Sequence, residues 1–146
     1  MKLEEIFKEW DIDSKIDISQ LQFESLKIPQ LHNKYSKIYV RLKLKRNELQ
    51  ATFALLKQEK KEFYTLGPNA ETMKKGWTLP PQGKILKADI ESYLNQDKDI
   101  IALNMKLGVA DEKLSLLSSI LSTVHSRSFH IKHAIEFMKF EAGIGG

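Results

Sequence analysis

The sequence contains no cysteine. It can therefore form no disulfide bond, no cysteine-ligated zinc site and no thiol nucleophile, and this composition is typical of a reducing compartment such as the cytoplasm. No stretch approaches the roughly 18 consecutive apolar residues that a membrane-spanning helix needs. Acidic side chains at Glu4 and Glu5 also interrupt the place where a signal peptide would carry its apolar core. We therefore expect no membrane partner.

Glycine and proline are scarce, with seven and four residues among 146. Three of the glycines and three of the prolines fall within residues 67–83, and this clustering predicts a loop. The expected loop covers residues 67–96 and has room for one short helix near its end. The fourth proline, Pro29, is expected to kink or divide the helix that contains it, because proline lacks an amide hydrogen and clashes with the preceding turn.

Two long stretches carry the apolar periodicity of helices. The first predicts a helix over residues 18–66, which begins at a capping box of Ser19 and Gln22 and ends before Gly67. Its apolar positions, seven residues apart, are Leu21, Ile28, Tyr35, Leu42, Leu49, Leu56 and Phe63. The second predicts a helix over residues 97–142. Its seam, in steps of three and four, is Leu103, Leu107, Ala110, Leu114, Leu117, Leu121, Val124, Ser128, Ile131, Ile135, Met138 and Ala142.

The two predicted helices are of similar length at about 1.5 Å per residue, so a long antiparallel hairpin would bury both seams. A short N-terminal helix over residues 1–13 places apolar side chains on one face. These are Leu3, Ile6, Phe7 and Trp10. The short helix either packs on the hairpin or docks on a neighbouring subunit. The expected fold is a single all-α domain over residues 1–146.

No catalytic motif is present. His130 and His133 lie three residues apart with Glu136 one turn further on, but a catalytic zinc needs three converging ligands, and no further donor is placed by the sequence. No glycine-rich loop opens a helix toward a phosphate group, and no serine stands on a nucleophile elbow. We therefore predict a protein that is not an enzyme and has no metal or cofactor.

Residues 31–66 carry nine lysines and arginines against three acidic residues. Several of the cations share one helix face, together with a glutamine and a tyrosine, and we call this face the basic stripe. It consists of Lys43, Arg46, Gln50, Lys57, Lys61 and Tyr64, bordered by Lys60 and Phe63. Cations beside aromatic rings are typical of single-stranded DNA binding. One alternative is a solvated helix end, in which Phe63 and Tyr64 close the hairpin. Another is a structural or adaptor protein whose stripe meets an acidic protein partner.

A second apolar face occurs on the C-terminal helix, roughly opposite its seam; we call it the aromatic face. It consists of Phe129, His133, Phe137 and Phe140. A monomer would leave three phenylalanine rings in water, so an interface between subunits of a homo-oligomer is the favoured interpretation. The alternative is that the N-terminal helix folds back over these rings.

The chain resembles the UvsY recombination mediator family of myovirus-type phages. The resemblance is carried by "LQFE" (21–24), "LHNKY" (31–35), "DKD" (97–99), "SRSFHIKH" (126–133) and "FEAG" (140–143). It implies a non-enzymatic homo-oligomer, a ring or barrel joined through its C-terminal region. Such an assembly binds single-stranded DNA in the cytoplasm of the infected bacterial host. It also helps to load a UvsX-type recombinase onto DNA covered by single-strand DNA-binding protein.

The family's DNA-binding motif, Lys-x-Arg-Leu-Asp-Tyr-Tyr, falls on residues 58–64 of this chain. The resemblance implies that Lys60 stands for the motif's arginine and that Phe63 and Tyr64 stand for its aromatic pair. Gln58 replaces the motif's first basic residue, and Lys57 or Lys61 would supply that charge. The loop that contains Trp77 differs from the family in length and sequence.

Overall fold

The structure is a computed structural model that describes residues 1–144. All regular elements in this part of the chain are helical, and no strand occurs in it, which confirms the all-α prediction. The α-helices are α1 (Leu3–Asp13), α2 (Leu21–Leu66), α3 (Ala70–Lys74), α4 (Ile90–Gln96) and α5 (Lys98–Glu141). Two 3-10 turns, Ile18–Gln20 and Lys87–Asp89, lead into α2 and α4.

The ends of α2 are set by a polar cap and a glycine. The carboxylate of Asp17 accepts a hydrogen bond from the amide of Ser19 at 2.9 Å, so Asp17 caps the entry in place of the predicted capping box at Ser19. Pro29 lies inside α2, and the helix continues through it. At the other end, Gly67 adopts a φ of 93° and donates its amide to the carbonyl of Phe63, which terminates the helix.

The chain divides into two compact units. The first unit comprises residues 1–44 and the described residues from 111 onward, so it contains α1, the beginning of α2 and the end of α5. Its apolar core is formed by Ile6, Leu31, Tyr35, Leu42, Leu114, Leu117, Ile120 and Val124.

Helix α1 packs on its own chain. Ile6 is fully buried, and the ring of Trp10 meets the ring of Tyr35 edge-on, with their centroids 5.5 Å apart. Polar contacts reinforce this packing. The Lys34 ammonium lies 2.6 Å from a carboxylate oxygen of Asp13, and the Tyr35 hydroxyl donates to the same carboxylate at 2.8 Å. Of the two interpretations of the N-terminal helix, packing on its own chain or docking on a neighbouring subunit, the structure therefore shows the first.

The second unit comprises residues Lys45–Ala110. Its core is formed by Phe63, Tyr64, Ile85 and Leu94, with Trp77, Leu79, Ile90 and Tyr93 packed against it. The segment expected to be a loop with one short helix thus contributes α3, α4 and several core side chains. The amide of Ile85 donates a hydrogen bond to the carbonyl of Tyr64 at 2.8 Å, which connects this segment to the end of α2.

In both units, opposite ends of the two long helices are paired, as the hairpin prediction requires. The predicted seam of α5 is only partly buried near its C-terminus, where Ile135 and Met138 line a groove with Leu21. Ile131 is buried, but Ser128, Ile135 and Met138 are exposed. Arg127 is buried instead, because the buried stripe steps from Val124 by three residues rather than four.

Candidate nucleic-acid interface

The last three turns of α2 carry most of the predicted DNA-binding residues, and the fold divides them into an inner and an outer group. Lys60, Phe63 and Tyr64 are buried, with 4%, 2% and 9% of their surfaces exposed. Lys57 and Lys61 keep more than a third of their side-chain surface exposed. Helical spacing alone does not distinguish the two groups, since position 60 borders the basic stripe.

Lys60 has its charge compensated inside the second unit. Its Nζ lies 3.0 Å from the Oδ2 of Asp97 and 2.8 Å from the Oδ2 of Asp99. It also lies 4.0 Å from the centroid of the Trp77 ring, a cation–π arrangement. Two carboxylates and an aromatic ring therefore surround this ammonium, and it is buried, whereas Lys57 and Lys61 are partly exposed.

Asp97 joins the end of α2 to the beginning of α5. Its Oδ1 accepts hydrogen bonds from the amides of Asp99 and Ile100 and so caps α5, while its Oδ2 accepts the Tyr64 hydroxyl at 2.6 Å. Burial by itself raises the pKa of Asp97. The hydrogen bonds from Tyr64 and Ile100 and the ammonium of Lys60 outweigh burial, so the pKa lies below its usual range. Burial and the same carboxylate raise the pKa of Tyr64.

The aromatic pair of the predicted motif packs against protein side chains. The Phe63 ring lies 5.4 Å from the Tyr64 ring and 5.6 Å from the Trp77 ring, measured between centroids, and the Tyr93 ring lies 6.2 Å from that of Tyr64. Because the rings of Phe63 and Tyr64 are buried against these side chains, they leave no exposed ring face on which a base could stack. Their observed contacts shape the end of α2.

The outer lysines share one acidic neighbour that the sequence analysis did not consider. Lys57 and Lys61 lie 3.7 Å and 3.5 Å from the two carboxylate oxygens of Glu91 on α4. Glu91 is itself exposed, and ion pairs of this kind contribute at most about 1 kcal/mol and are screened by salt. One carboxylate therefore compensates two ammonium groups only in part, and both can meet a phosphate.

The remaining cations of the basic stripe lie further from the end of α2. Lys43 is exposed and belongs to the first unit. Arg46 is half-buried and belongs to the second.

The residues of the predicted aromatic face lie at the surface of the first unit. Phe129, Phe137 and Phe140 are 61%, 60% and 77% exposed, and the Phe129 and His133 rings are 4.3 Å apart. Helix α1 does not cover them, because its apolar side chains pack into the core of the unit and Phe7 is exposed. The alternative in which the N-terminal helix folds over these rings is therefore wrong for this chain.

Arg127 is an important residue that the sequence analysis missed. Its guanidinium is buried, donates to the carbonyl oxygens of Asp13 and Ser14 at 2.8 and 3.1 Å, and lies 5.7 Å from the Trp10 ring centroid. It thus closes the C-terminal end of α1. Its position three residues after Val124 and four before Ile131 is a core position of α5, and this spacing could have revealed it.

No metal-binding cluster of histidine and acidic side chains occurs within residues 1–144, and His130 and His133 are both exposed. Over the same residues, no helix is long and apolar enough to cross a membrane.

The fold and this surface define a small all-helical protein in which two long helices pair with opposite ends together and α2 ends in exposed lysines. The sequence pattern of the UvsY family, described as recombination, repair and single-stranded-DNA-binding protein UvsY, matches residues 9–144. The chain belongs to this family.

Individual relatives agree with this assignment. The recombination protein uvsY of Enterobacteria phage T4 is 24% identical over 143 residues, which cover 98% of this chain and 99% of the relative. One crystal structure of the bacteriophage T4 recombination mediator protein UvsY has a TM-score of 0.83 at 23% identity and covers 97% of this chain and 98% of its own. A second crystal form of the same protein has a TM-score of 0.80 at 22% identity and covers 94% of this chain and 98% of its own. These structures share the fold of this chain.

Proposed function

We propose that this protein is a recombination mediator, a non-catalytic protein that binds single-stranded DNA and helps a UvsX-type recombinase to assemble on it. The observation that supports this proposal is the family match over residues 9–144. The relative from phage T4 is described as a recombination mediator protein. The expected place of action is the cytoplasm of the infected bacterial host.

The DNA contacts are proposed to come from the cations of α2 that keep part of their surface exposed. Lys57 and Lys61 bind phosphates at the end of the helix, and Lys43 and Arg46 add contacts along it. Lys60, Phe63 and Tyr64 contribute indirectly, because their buried contacts with Asp97 and Trp77 hold the helix end on which Lys57 and Lys61 stand. Binding through phosphates predicts little sequence preference and a strong dependence on salt.

The protein is proposed to act as a homo-oligomeric ring or barrel held together by the aromatic face. One subunit offers roughly three to six phosphate contacts, which is few for tight binding at physiological salt. Repeating the contacts around an assembly raises the apparent affinity by effective concentration, by about 100-fold or more when one strand reaches several subunits. The exposure of Phe137 and Phe140 supports an interface there.

The mediator step follows from these two properties. The assembly holds single-stranded DNA in a geometry that weakens its complex with single-strand DNA-binding protein and presents the strand to the recombinase. No covalent bond is made or broken.

Two measurements test the proposal. Fluorescence anisotropy with a labelled oligothymidylate should show binding that weakens steeply between about 50 and about 200 mM salt. Recombinase filament formation on strands covered by single-strand DNA-binding protein should then start sooner when the protein is added. Binding that is insensitive to salt, or a recombinase lag that the protein leaves unchanged, would contradict the proposal. Tight binding to an acidic protein without DNA binding would favour the adaptor alternative.

A further inference from the structure

A cleft of about 470 Å³ opens in the second unit beside the beginning of α5. Its exposed lining includes Lys75, Thr78, Gln96, Lys98 and Asp99 around the partly exposed ring of Trp77. A volume of this size lies within the range of small-molecule sites. The segment that carries Trp77 takes no part in the DNA contacts proposed above.

The ring of Trp77 is held in place from the protein side. The Phe63 ring meets it edge-on at 5.6 Å, and the buried Lys60 ammonium lies 4.0 Å from its centroid. The backbone amide of Trp77 donates to the carbonyl of Thr72 at 3.1 Å. The part of the ring that remains exposed is therefore a fixed apolar surface, which loses little freedom when a flat ligand stacks on it.

The charges around the cleft favour an anion. Three lysines line it against two aspartates, Asp97 and Asp99, and both aspartates are bound to the buried Lys60. Of the two exposed lysines, Lys98 makes no ion pair within residues 1–144. The Lys75 ammonium lies 4.9 Å from the centroid of the Trp77 ring and 3.4 Å from the carboxylate of Glu59 at the surface, so a stacked base would displace it from the ring toward the adjacent phosphate. Both ammonium groups can turn to a phosphate.

We infer that this cleft binds one nucleotide of single-stranded DNA, with the base stacked on Trp77 and the adjacent phosphate held by Lys98 and Lys75. The inference rests on the proposed function and adds a base-stacking site to it. Stacking on an indole ring accepts every base, and Thr78 and Gln96 provide polar groups at the rim without imposing a single hydrogen-bonding pattern. A phosphate alone would leave the aromatic surface unused, whereas a nucleotide uses both the ring and the charges.

Trp77 itself reports on the site. The chain has two tryptophans, so Trp10→Phe leaves Trp77 as the sole indole fluorophore. Titration of this variant with oligothymidylate should quench the fluorescence saturably, in step with binding followed by anisotropy. An abasic strand of equal length keeps the phosphates and lacks the bases, so it should bind more weakly and leave the fluorescence nearly unchanged. Equal quenching by both strands would overturn the stacking model.

Substitutions test the contributions of the Trp77 ring and of the Lys98 charge to DNA binding separately. Trp77→Leu should weaken binding to oligothymidylate by about tenfold and binding to the abasic strand hardly at all, while Trp77→Phe should retain most of the affinity. Because Trp77 also packs on Phe63, thermal unfolding of each variant is measured alongside. Lys98→Glu changes an exposed side chain outside the core and should weaken binding to both strands severalfold.

The outcomes distinguish the two proposals. If the wild-type protein binds no single-stranded DNA, the proposed function fails. If it binds oligothymidylate but Trp77 is not quenched, or if folded Trp77→Leu and Lys98→Glu both bind as the wild type does, only the nucleotide site in this cleft is refuted.

Discussion

The ammonium of Lys60 lies 3.0 Å from a carboxylate oxygen of Asp97, and both side chains are only 5% exposed. Removing two charges from water is costly, and their mutual attraction offsets this cost only when the remaining polar atoms are also satisfied. That condition is met, since every buried side-chain nitrogen and oxygen within residues 1–144 has a hydrogen-bond partner. The pair fixes the end of α2, which carries Lys57 and Lys61, against the beginning of α5.

Asp97→Ala should therefore destabilise the protein strongly. The substitution removes the cap of α5, the acceptor for Tyr64 and one of the two carboxylates that compensate Lys60, so we expect a loss of at least about 3 kcal/mol in the free energy of unfolding. Urea denaturation followed by circular dichroism measures it. Asp99→Ala is the matched control, because Asp99 is 55% exposed and its loss should cost under about 1 kcal/mol. Equal losses in the two variants would show that the buried pair has no special role.

Stability should fall in acid. The pKa of Asp97 is lowered in the folded state, as is that of Asp13, where burial opposes the change but hydrogen bonds from Lys34 and Tyr35 outweigh it. A depressed carboxyl pKa stabilises the folded protein above the unfolded pKa of about 3.9, and this stabilisation is lost as pH falls below it. Urea midpoints measured from pH 6 to pH 3 should decrease, and Asp97→Asn should show a shallower decrease. An unchanged slope in this variant would contradict the assignment.

DNA affinity and stability should respond to different lysines at the end of α2. Lys57→Ala with Lys61→Ala should weaken single-stranded DNA binding and reduce the salt slope by roughly 0.7 for each phosphate that is no longer neutralised, with little change in unfolding. The control is Lys8→Ala with Lys15→Ala, which removes equal charge from exposed positions in the first unit. Lys60→Ala should chiefly lower stability, because its ammonium is buried. If the Lys57 and Lys61 double variant bound DNA as the wild type does, those lysines would only be a solvated surface.

Arg127→Ala should loosen α1. The guanidinium is itself buried, caps the C-terminal carbonyls of α1 and lies near Trp10, so its removal loses two charge-assisted hydrogen bonds and this packing and should cost about 2–3 kcal/mol. Hydrogen exchange in residues 3–13 should accelerate more than exchange in the rest of the chain. Arg127→Lys should recover only part of the protection from hydrogen exchange, because a single ammonium does not reproduce the planar, forked arrangement of donors in a guanidinium. Unaltered exchange in both variants would refute this role.

Phe137→Ala with Phe140→Ala should shift the protein toward smaller species. Both rings are largely exposed in a single chain, so the substitutions should leave helix content nearly unchanged and act on association, where a weakening of about 2 kcal/mol at each subunit interface would favour dissociation at micromolar concentration. Sedimentation velocity gives the mass. Leu66→Ala with Leu86→Ala removes exposed apolar side chains from the second unit and serves as the control. The full oligomer mass in the phenylalanine variant would place the interface elsewhere.

The sequence by itself determined the helical class of the fold. Apolar residues recur with helical spacing along both long helices, and Gly67 stops α2 because its positive φ is open to glycine at little cost. Local chemistry also predicted the exposed aromatic rings, since Phe137 and Phe140 lie off the buried stripe of α5. Periodicity is a property of neighbouring residues, so it can be read without knowing which partners the chain brings together.

Only the tertiary structure decided which members of the predicted DNA site face outward. Lys60 and Lys61 are adjacent in sequence and identical in chemistry, yet one is buried between Asp97, Asp99 and Trp77 and the other lies beside Glu91 at the surface. The residues that compensate Lys60 are distant in sequence, in a segment expected to be a loop and at the start of the next helix. Burying a charge depends on those distant partners, and helical spacing contains no information about them.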